Sequence, residues 1–242
     1  MSRSVRVPLE GLRGGERSVD GPAAHYLGRV HRLGPGARFV AFDPGARLEA
    51  AAEIVAAERG VLRCRFDEPT PARAAGERGL TLIQCAGKGD KLDEVVRAAT
   101  ALGVSVLRVA ESERSVSRPS GSSAKRERLL AVALDAARQS GRGDLPELAE
   151  PAPLAGLLAE YAARDACKLC LAPEAELGLG AALAARAGRE LVLLVGPEGG
   201  LSEAELAGAA AAGFVSVSLG PLVLRTELAG IAALGAVLAL RA

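Results

Sequence analysis

Hydrophobic and polar positions follow two different rhythms along this chain. Up to about Asp67 the apolar residues come in short, β-like runs: VRVP (5–8), ARFVAFD (37–43), RLEAAAEIV (47–55) and GVLRCRF (60–66), parted by Gly or Pro turns. One amphipathic helix, near Pro22 to Leu33, interrupts them. Residues 1–67 therefore read as a small β-barrel with one helix. Residues 68–79, within DEPTPARAAGERG, shift to Pro, Gly and charge and are the expected linker. From 80 to 242, short continuous apolar runs alternate with stretches of helical period. LTLIQCA (80–86), VSVLRVA (104–110), CKLCLA (167–172), LVLLV (191–195) and FVSVSL (214–219) predict strands. KLDEVVRAATALG places Leu92, Val95, Val96, Ala99 and Leu102 on one helical face, closed by Gly103. Further helices are expected over about Lys125 to Gln139, over LAGLLAEYAAR (154–164), after Ser202 and from Thr226. Such alternation implies an α/β fold with a mostly parallel sheet.

The run at 191–195 stops at Gly196-Pro197-Glu198-Gly199-Gly200. Ser202 and Glu205 form an S-x-x-E capping box, so a helix should start near Glu203 and end at Gly213. Glycine at 199 and 200 lets a ligand approach the backbone. In open α/β sheets ligands bind at this end of the strands, although a plain βα turn carries the same pattern. The next strand also ends in Gly-Pro, at Gly220-Pro221. Two such loops from parallel strands lie at one sheet edge and together form a pocket lined more by backbone than by charged side chains. That lining suits an adenine and ribose better than a triphosphate. Neither the P-loop nor the G-x-G-x-x-G dinucleotide pattern is present; AGKGDK (86–91) lacks the spacing.

Composition narrows the picture. The 242 residues fit one large domain or two smaller ones, and 49% of them are apolar. A net charge of +1 provides no global field toward nucleic acid, while leaving local basic patches open. Only four of the basic residues are lysines: Lys88, Lys91, Lys125 and Lys168. In so Arg- and Ala-rich a chain, a lone arginine is weak evidence. The N-terminal MSRSVRVPLEGLRGG has no apolar core of a signal peptide, and no uninterrupted apolar run is of membrane-spanning length, so a cytoplasmic location is expected. Cys167 and Cys170 form a lone C-x-x-C within a strand, where residues three apart point to opposite faces. With no second pair, and only His25 and His31 as imidazoles, these read as buried structural thiols, and no metal is expected.

LVGPEGGLSEAEL, VSLGPLVLRTELAGIAAL and AGKGDKLDEVVRAATALGV, with SERSV and ARQSGR, occur in one order. The combination resembles the small-subunit ribosomal RNA uridine-N3 methyltransferases of the SPOUT class. AHYLGRVHRLGPGARFVAFD looks like the family's PUA-like RNA-binding barrel. The resemblance covers nearly the whole chain. It implies a trefoil-knotted C-terminal domain, S-adenosyl-L-methionine as cofactor, methylation of one uridine at N3 in 16S ribosomal RNA of the small subunit, and a homodimer with each pocket near the partner chain. Residue by residue, the cofactor loops match Leu171, Ala172 and Pro173; Val195, Gly196, Pro197, Gly199 and Gly200; and Leu219, Gly220, Leu222, Leu224 and Thr226. Leu219, Leu222 and Leu224 are expected against the adenine. The chain departs from the family at Leu228, where Thr is usual, and at Arg138, where Glu is usual.

Uridine N3 carries a proton that must leave before or during methyl transfer. A base assists, and so does a cation beside the developing anion. Within the resemblance Arg225 is the expected anion stabiliser, with Glu198 and Glu227 as candidates for the base or for orienting Arg225. Glu198 bridging the loop backbone, and Glu227 answering the helix dipole, are the structural alternatives. The target base has to leave its stack. With two Tyr, four Phe and no Trp, stacking platforms are scarce. RNA should be held mainly through phosphates, with Arg29, Arg32, Lys88, Arg114, Gln139 and Arg142 as candidates; for Arg29 and Arg32 a solvated helix face is the alternative. Rival functions are a ribose 2′-oxygen methyltransferase, whose usual S-L-N-V-S-x-A segment is matched poorly by SLGPLVLRTELA, a non-catalytic RNA-binding assembly factor, and a nucleotide-binding enzyme.

Overall fold

A computed structural model describes residues 4–76, 79–87, 91–115, 123–185 and 190–241. The chain divides into two compact units. One comprises Met1–Ala75 with Leu134–Leu145, the other Gly76–Ala133 with Pro146–Ala242.

The first unit contains β1 (Arg6–Pro8), β2 (Gly15–Val19), α1 (Gly21–His25), β3 (Arg38–Asp43), β4 (Leu48–Glu58), β5 (Val61–Phe66) and β6 (Thr70–Pro71). Its sheet runs β1-β3-β4-β5-β2, with β6 on β4. β1 pairs parallel with β3, and every other pairing is antiparallel. Strict alternation along β5 sends Leu62, Cys64 and Phe66 inward. There they meet Val7, Leu27, Phe39 and Ile54. The GERSV run of β2 has no apolar alternation to announce it; it forms as an edge strand on β5, where Glu16 accepts from Arg65 at 2.7 Å. The helix expected over Pro22–Leu33 is shorter. After α1 the turns widen into a π-helical stretch, Tyr26–Val30, and Arg32, at φ +54°, ends it. Residues 134–145 join this unit by side-chain and backbone bonds. The Arg138 guanidinium lies 4.2 Å over the Tyr26 ring, and the Gly143 N–H donates to the Ala74 carbonyl at 2.7 Å.

Asp43, buried at the end of β3, accepts from the backbone N–H of Gly11 at 2.6 Å, Ala46 at 3.0 Å and Gly45 at 3.1 Å. Burial alone would raise its carboxyl. The N–H groups of Ala46, Gly11, Leu12 and Gly45 outweigh that and hold it below its ordinary value. Asp43→Asn is expected to cost this unit about 2 kcal/mol at neutral pH. A folded pKa below the unfolded one stabilises above the unfolded value and ceases to do so as pH falls through the folded one. The advantage over the Asn variant should therefore shrink below the ordinary carboxylate value of 3.8. Urea titrations at several pH values, followed at the Ala46 amide by NMR, measure this; equal midpoints at pH 7 would overturn it.

The second unit contains β7 (Leu80–Cys85), α2 (Lys91–Ala101), β8 (Val106–Glu111), α3 (Ser123–Ser140, whose end belongs to the first unit), β9 (Glu147–Leu148), β10 (Ala152–Pro153), α4 (Leu154–Ala162), β11 (Cys167–Leu171), α5 (Leu179–Ala184), β12 (Leu191–Val195), α6 (Glu203–Ala211), β13 (Val215–Val217) and α7 (Thr226–Arg241). Its seven strands run β10-β8-β7-β12-β11-β13, with β9 on β8, and all pair parallel. β7 and β12 are buried along their whole length, as continuous apolar runs in a doubly covered sheet should be. Alternation then divides the core. Ile83, Cys85, Val192 and Leu194 join a cluster with Leu154, Leu158 and Ala209 of α4 and α6. Leu82, Gln84 and Val195 face Gly230 of α7 on the other side. Among the described residues no helix is long and apolar enough to cross a membrane.

Candidate functional site

Three loops leave the carboxyl ends of β11, β12 and β13 and enclose a cavity of about 680 Å³, within the ordinary range for small-ligand sites. The loop after β12 turns tightly. The Gly200 N–H donates to the Pro197 carbonyl at 2.9 Å, and Gly200 takes a φ of +70°, which favours glycine. The turn delivers the chain to Ser202, whose hydroxyl accepts from the Glu205 N–H while the Glu205 carboxylate accepts from the Ser202 N–H at 2.9 Å. This is the capping box read from the sequence. Glu205 also accepts from the Glu113 N–H at 2.8 Å, tying the start of α6 to the segment after β8.

All thirteen residues assigned above to the cofactor loops lie in this one wall. Leu171, Ala172 and Pro173 come from the first loop. Val195, Gly196, Pro197, Gly199 and Gly200 come from the second. Leu219, Gly220, Leu222, Leu224 and Thr226 come from the third and from the first turn of α7. The surface is mostly aliphatic side chain and peptide backbone. Leu222 and Val223 are 76% and 79% exposed, an apolar rim.

Charge enters at few points. Arg114, Glu174, Glu198 and Arg225 line the cavity, and Arg225 is exposed. Lys91, at the start of α2, reaches the Glu198 carboxylate at 3.1 Å and that of Glu227 at 3.3 Å. The hydrogen bond to Glu198 foremost, and then that to Glu227, raises the Lys91 ammonium above its ordinary range against partial desolvation. Glu227 is 6% exposed and is not part of the cavity wall. Its carboxylate is the buried counter-charge of Lys91, which places Glu198 rather than Glu227 where a substrate could meet it. Burial pushes the thiols of Cys85 and Cys170 up to about 12 and that of Cys64 up to about 11, so none is a thiolate at neutral pH. Among the described residues no group of three or more His, Cys, Asp or Glu is placed to hold a metal ion.

This arrangement has known relatives. A family model described as an RNA methyltransferase domain matches residues 76–238, and one described as an RNA methyltransferase PUA domain matches residues 19–67. The chain belongs to this RNA methyltransferase family. It is 32% identical over 132 residues to the Ribosomal RNA small subunit methyltransferase E of Synechocystis sp., covering 52% of this chain and 40% of that one. It is 29% identical over 163 residues to the protein of the same name from Bacillus subtilis, covering 66% and 63%. The matched stretch thus spans less than two thirds of either curated relative. Among solved structures, a methyltransferase from Legionella pneumophila in complex with the cofactor SAM superposes with a TM-score of 0.85 at 26% identity, covering 99% of this chain and 98% of that one. A Ribosomal RNA small subunit methyltransferase E from Neisseria gonorrhoeae, bound to S-adenosyl methionine, does so with a TM-score of 0.84 at 27% identity, covering 98% of each.

In this member of the family the residues expected to meet RNA fall into different settings. Arg29 and Arg32 are exposed on the first unit, as is Gln139 near the end of α3. Arg114 lines the cavity and donates to the Gly199 carbonyl at 3.0 Å, so it braces the glycine loop. Arg142 has to be corrected. It is 3% exposed, its Nε donates to the Asp144 carboxylate at 2.5 Å, and Asp144 also pairs with Arg47 at 2.8 Å. A guanidinium so enclosed is not presented to a phosphate; the nearby carboxylate, two residues along, was the signal in the sequence. Lys88 lies outside the described residues. Two polar residues near the cavity escaped the sequence reading. Lys91 was legible only as one lysine beside a helix start, and Gln84 only as a polar letter inside an apolar strand.

Proposed function

We propose that this chain is an S-adenosyl-L-methionine-dependent methyltransferase that modifies N3 of a uridine in 16S ribosomal RNA, with a SPOUT-type knot and a homodimeric state. The observation that carries the reading is the coincidence of all three cofactor loops and Arg225 on one cavity. The cavity suits the cofactor. Leu219, Leu222 and Leu224 offer apolar surface for an adenine, and the backbone at Leu171–Pro173 and Gly196–Gly200 offers carbonyl and N–H groups for ribose and amino-acid parts. The apolar rim at Leu222 and Val223, with half-exposed Leu228 on α7, is what a second copy of the chain would cover.

Bound S-adenosyl-L-methionine supplies an electrophilic methyl group. The chain's own task is to make uridine N3 a nucleophile beside it. Arg225 projects into the cavity as a cation able to stabilise the negative charge that spreads over the uracil carbonyls once the N3 proton leaves. Glu198 would accept that proton; it lines the cavity beside Arg225, with the Lys91 ammonium 3.1 Å from its carboxylate. Exposed Arg29 and Arg32 on the PUA unit would hold phosphates.

Calorimetric titration with S-adenosyl-L-methionine tests the cofactor assignment, wild type beside Gly200→Val. A β-branched residue at a φ of +70° is strained and would break the Pro197–Gly200 turn. The variant should stay folded and bind at least about tenfold more weakly. Methylation of small ribosomal subunits with mapping of the product then tests the rest. A 2′-O-methyl product would select the ribose-methylating alternative, and no binding or transfer by folded wild type would select the assembly factor.

A further inference from the structure

Gln84 stands near the end of β7 and is 3% exposed, between Val109 of β8 and Val195 of β12 in register. Every neighbouring position on these strands is apolar or buried, and an amide there is unfavourable unless it is hydrogen-bonded. Its Nε2 donates to the Thr226 hydroxyl at 3.0 Å and to the Cys85 carbonyl at 3.3 Å. The Thr226 hydroxyl in turn donates to the Gly196 carbonyl. A hydroxyl has one proton. With that proton given to Gly196, Thr226 can only accept, which requires the nitrogen side of the Gln84 amide to face it. The result is a directed chain from the central strand, through the first residue of α7, to the loop after β12.

The two far members, Thr226 and Gly196, line the cavity; Gln84 does not. On its other side the Gln84 Oε1 accepts no hydrogen bond among the described residues and faces Gly230 of α7. A Cβ added to Gly230 would lie 3.1 Å from that oxygen and 3.5 Å from Val195 Cγ2. Glycine inside a helix weakens the helix, so its presence here marks room kept for the amide. A leucine at 84 would serve the core better, yet would hold neither Thr226 nor the loop.

We propose that Gln84 is a positioning residue of the cavity. Through Thr226 it sets the distance between the Gly196–Gly200 loop and the start of α7, and with it the stance of Arg225, one residue before Thr226. The geometric claim concerns the ligand-free chain; its consequence for S-adenosyl-L-methionine rests on the function proposed above.

The test uses the full chain as wild type, Gln84→Met, Thr226→Val and the double variant, with two readouts. Amide hydrogen exchange without ligand should quicken by about tenfold at Gly200, Leu228 and Ala229 in Gln84→Met, while β7 and β12 core amides keep their protection. S-adenosyl-L-methionine should bind about tenfold more weakly to each single variant and no more weakly still to the double one, because both break the same chain. A residue that merely stabilises the core would change protection everywhere and leave affinity unaltered well below the melting temperature. If Gln84→Met fails to fold, Thr226→Val and Gly230→Ala carry the same two measurements, the alanine being expected to displace the amide and weaken binding about threefold. Unchanged loop exchange with affinity within about twofold of wild type, or losses that add in the double variant, would overturn the proposal. Wild type that binds no S-adenosyl-L-methionine would instead overturn the cofactor reading, and loop exchange alone would then decide the role of Gln84.

Discussion

Arg225→Ala is expected to slow methyl transfer by about 100- to 1,000-fold, the usual consequence of removing one preorganised group from a developing anion. Affinity for S-adenosyl-L-methionine should change by less than about threefold, because the effect lies in the transition state rather than in cofactor binding. Arg225 lines the cavity, and among the described residues no carboxylate pairs with its side chain, so its charge is available to the substrate. Arg225→Lys keeps the charge but loses the planar fork that can span two oxygens, so it should fall between wild type and alanine. Single-turnover methylation of small ribosomal subunits beside cofactor titration separates the possibilities. A loss shared equally by affinity and rate would assign Arg225 to the cofactor, and an unchanged rate would remove it from the chemistry.

Lys168→Met should lower the thermal midpoint of the second unit by roughly 5–10 °C, from about 3 kcal/mol of lost stability in a chain of this size. Lys168 is buried in β11, in a run otherwise made of Cys and Leu. Its ammonium donates to the Ala162 carbonyl at 2.8 Å and the Ala212 carbonyl at 3.1 Å. These are the C-terminal ends of α4 and α6, where carbonyls lack helical partners and the dipole favours a cation. Methionine matches the stem but leaves the buried Ala212 carbonyl unsatisfied and takes the cation from both helix ends. Differential scanning calorimetry of the two proteins decides the matter; coincident transitions would show that water replaces the ammonium at no loss.

Much of this molecule is legible residue by residue. The Ser202–Glu205 box and the Gly213 stop have partners three to five positions away, so local spacing encodes them, and β12 shows as an unbroken apolar run. The same holds for the amphipathic face of α2 and for the alternation of β5. The loop glycines at 199 and 200 are local too, because backbone conformation and close approach depend on the residue itself. Where sequence and structure part, the cause is always a distant partner or a weak local signal. The polar β2 exists because β5 offers it a ladder. The short α5 had too few residues to show a period. Residues 134–145, which include the end of α3, belong to the first unit through Tyr26, Arg47 and Ala74.

The candidate site divides in the same way. From the residues themselves came the α/β class, the barrel-like first region and the two Gly-Pro loops, because strand order along the chain and glycine placement constrain which loops can share an edge; the loop after β11 and Arg225 came from the family resemblance. Tertiary structure decided which charges meet. Lys91 and Glu198 are 107 residues apart, and Gln84 and Thr226 are 142 apart. A pair so remote leaves no periodicity in the chain. It is set only when parallel strands stack in the order β7-β12-β11-β13, bringing the ends of distant segments into one layer. Burial acted likewise on Arg142 and Glu227, which folding set beside Asp144 and Lys91.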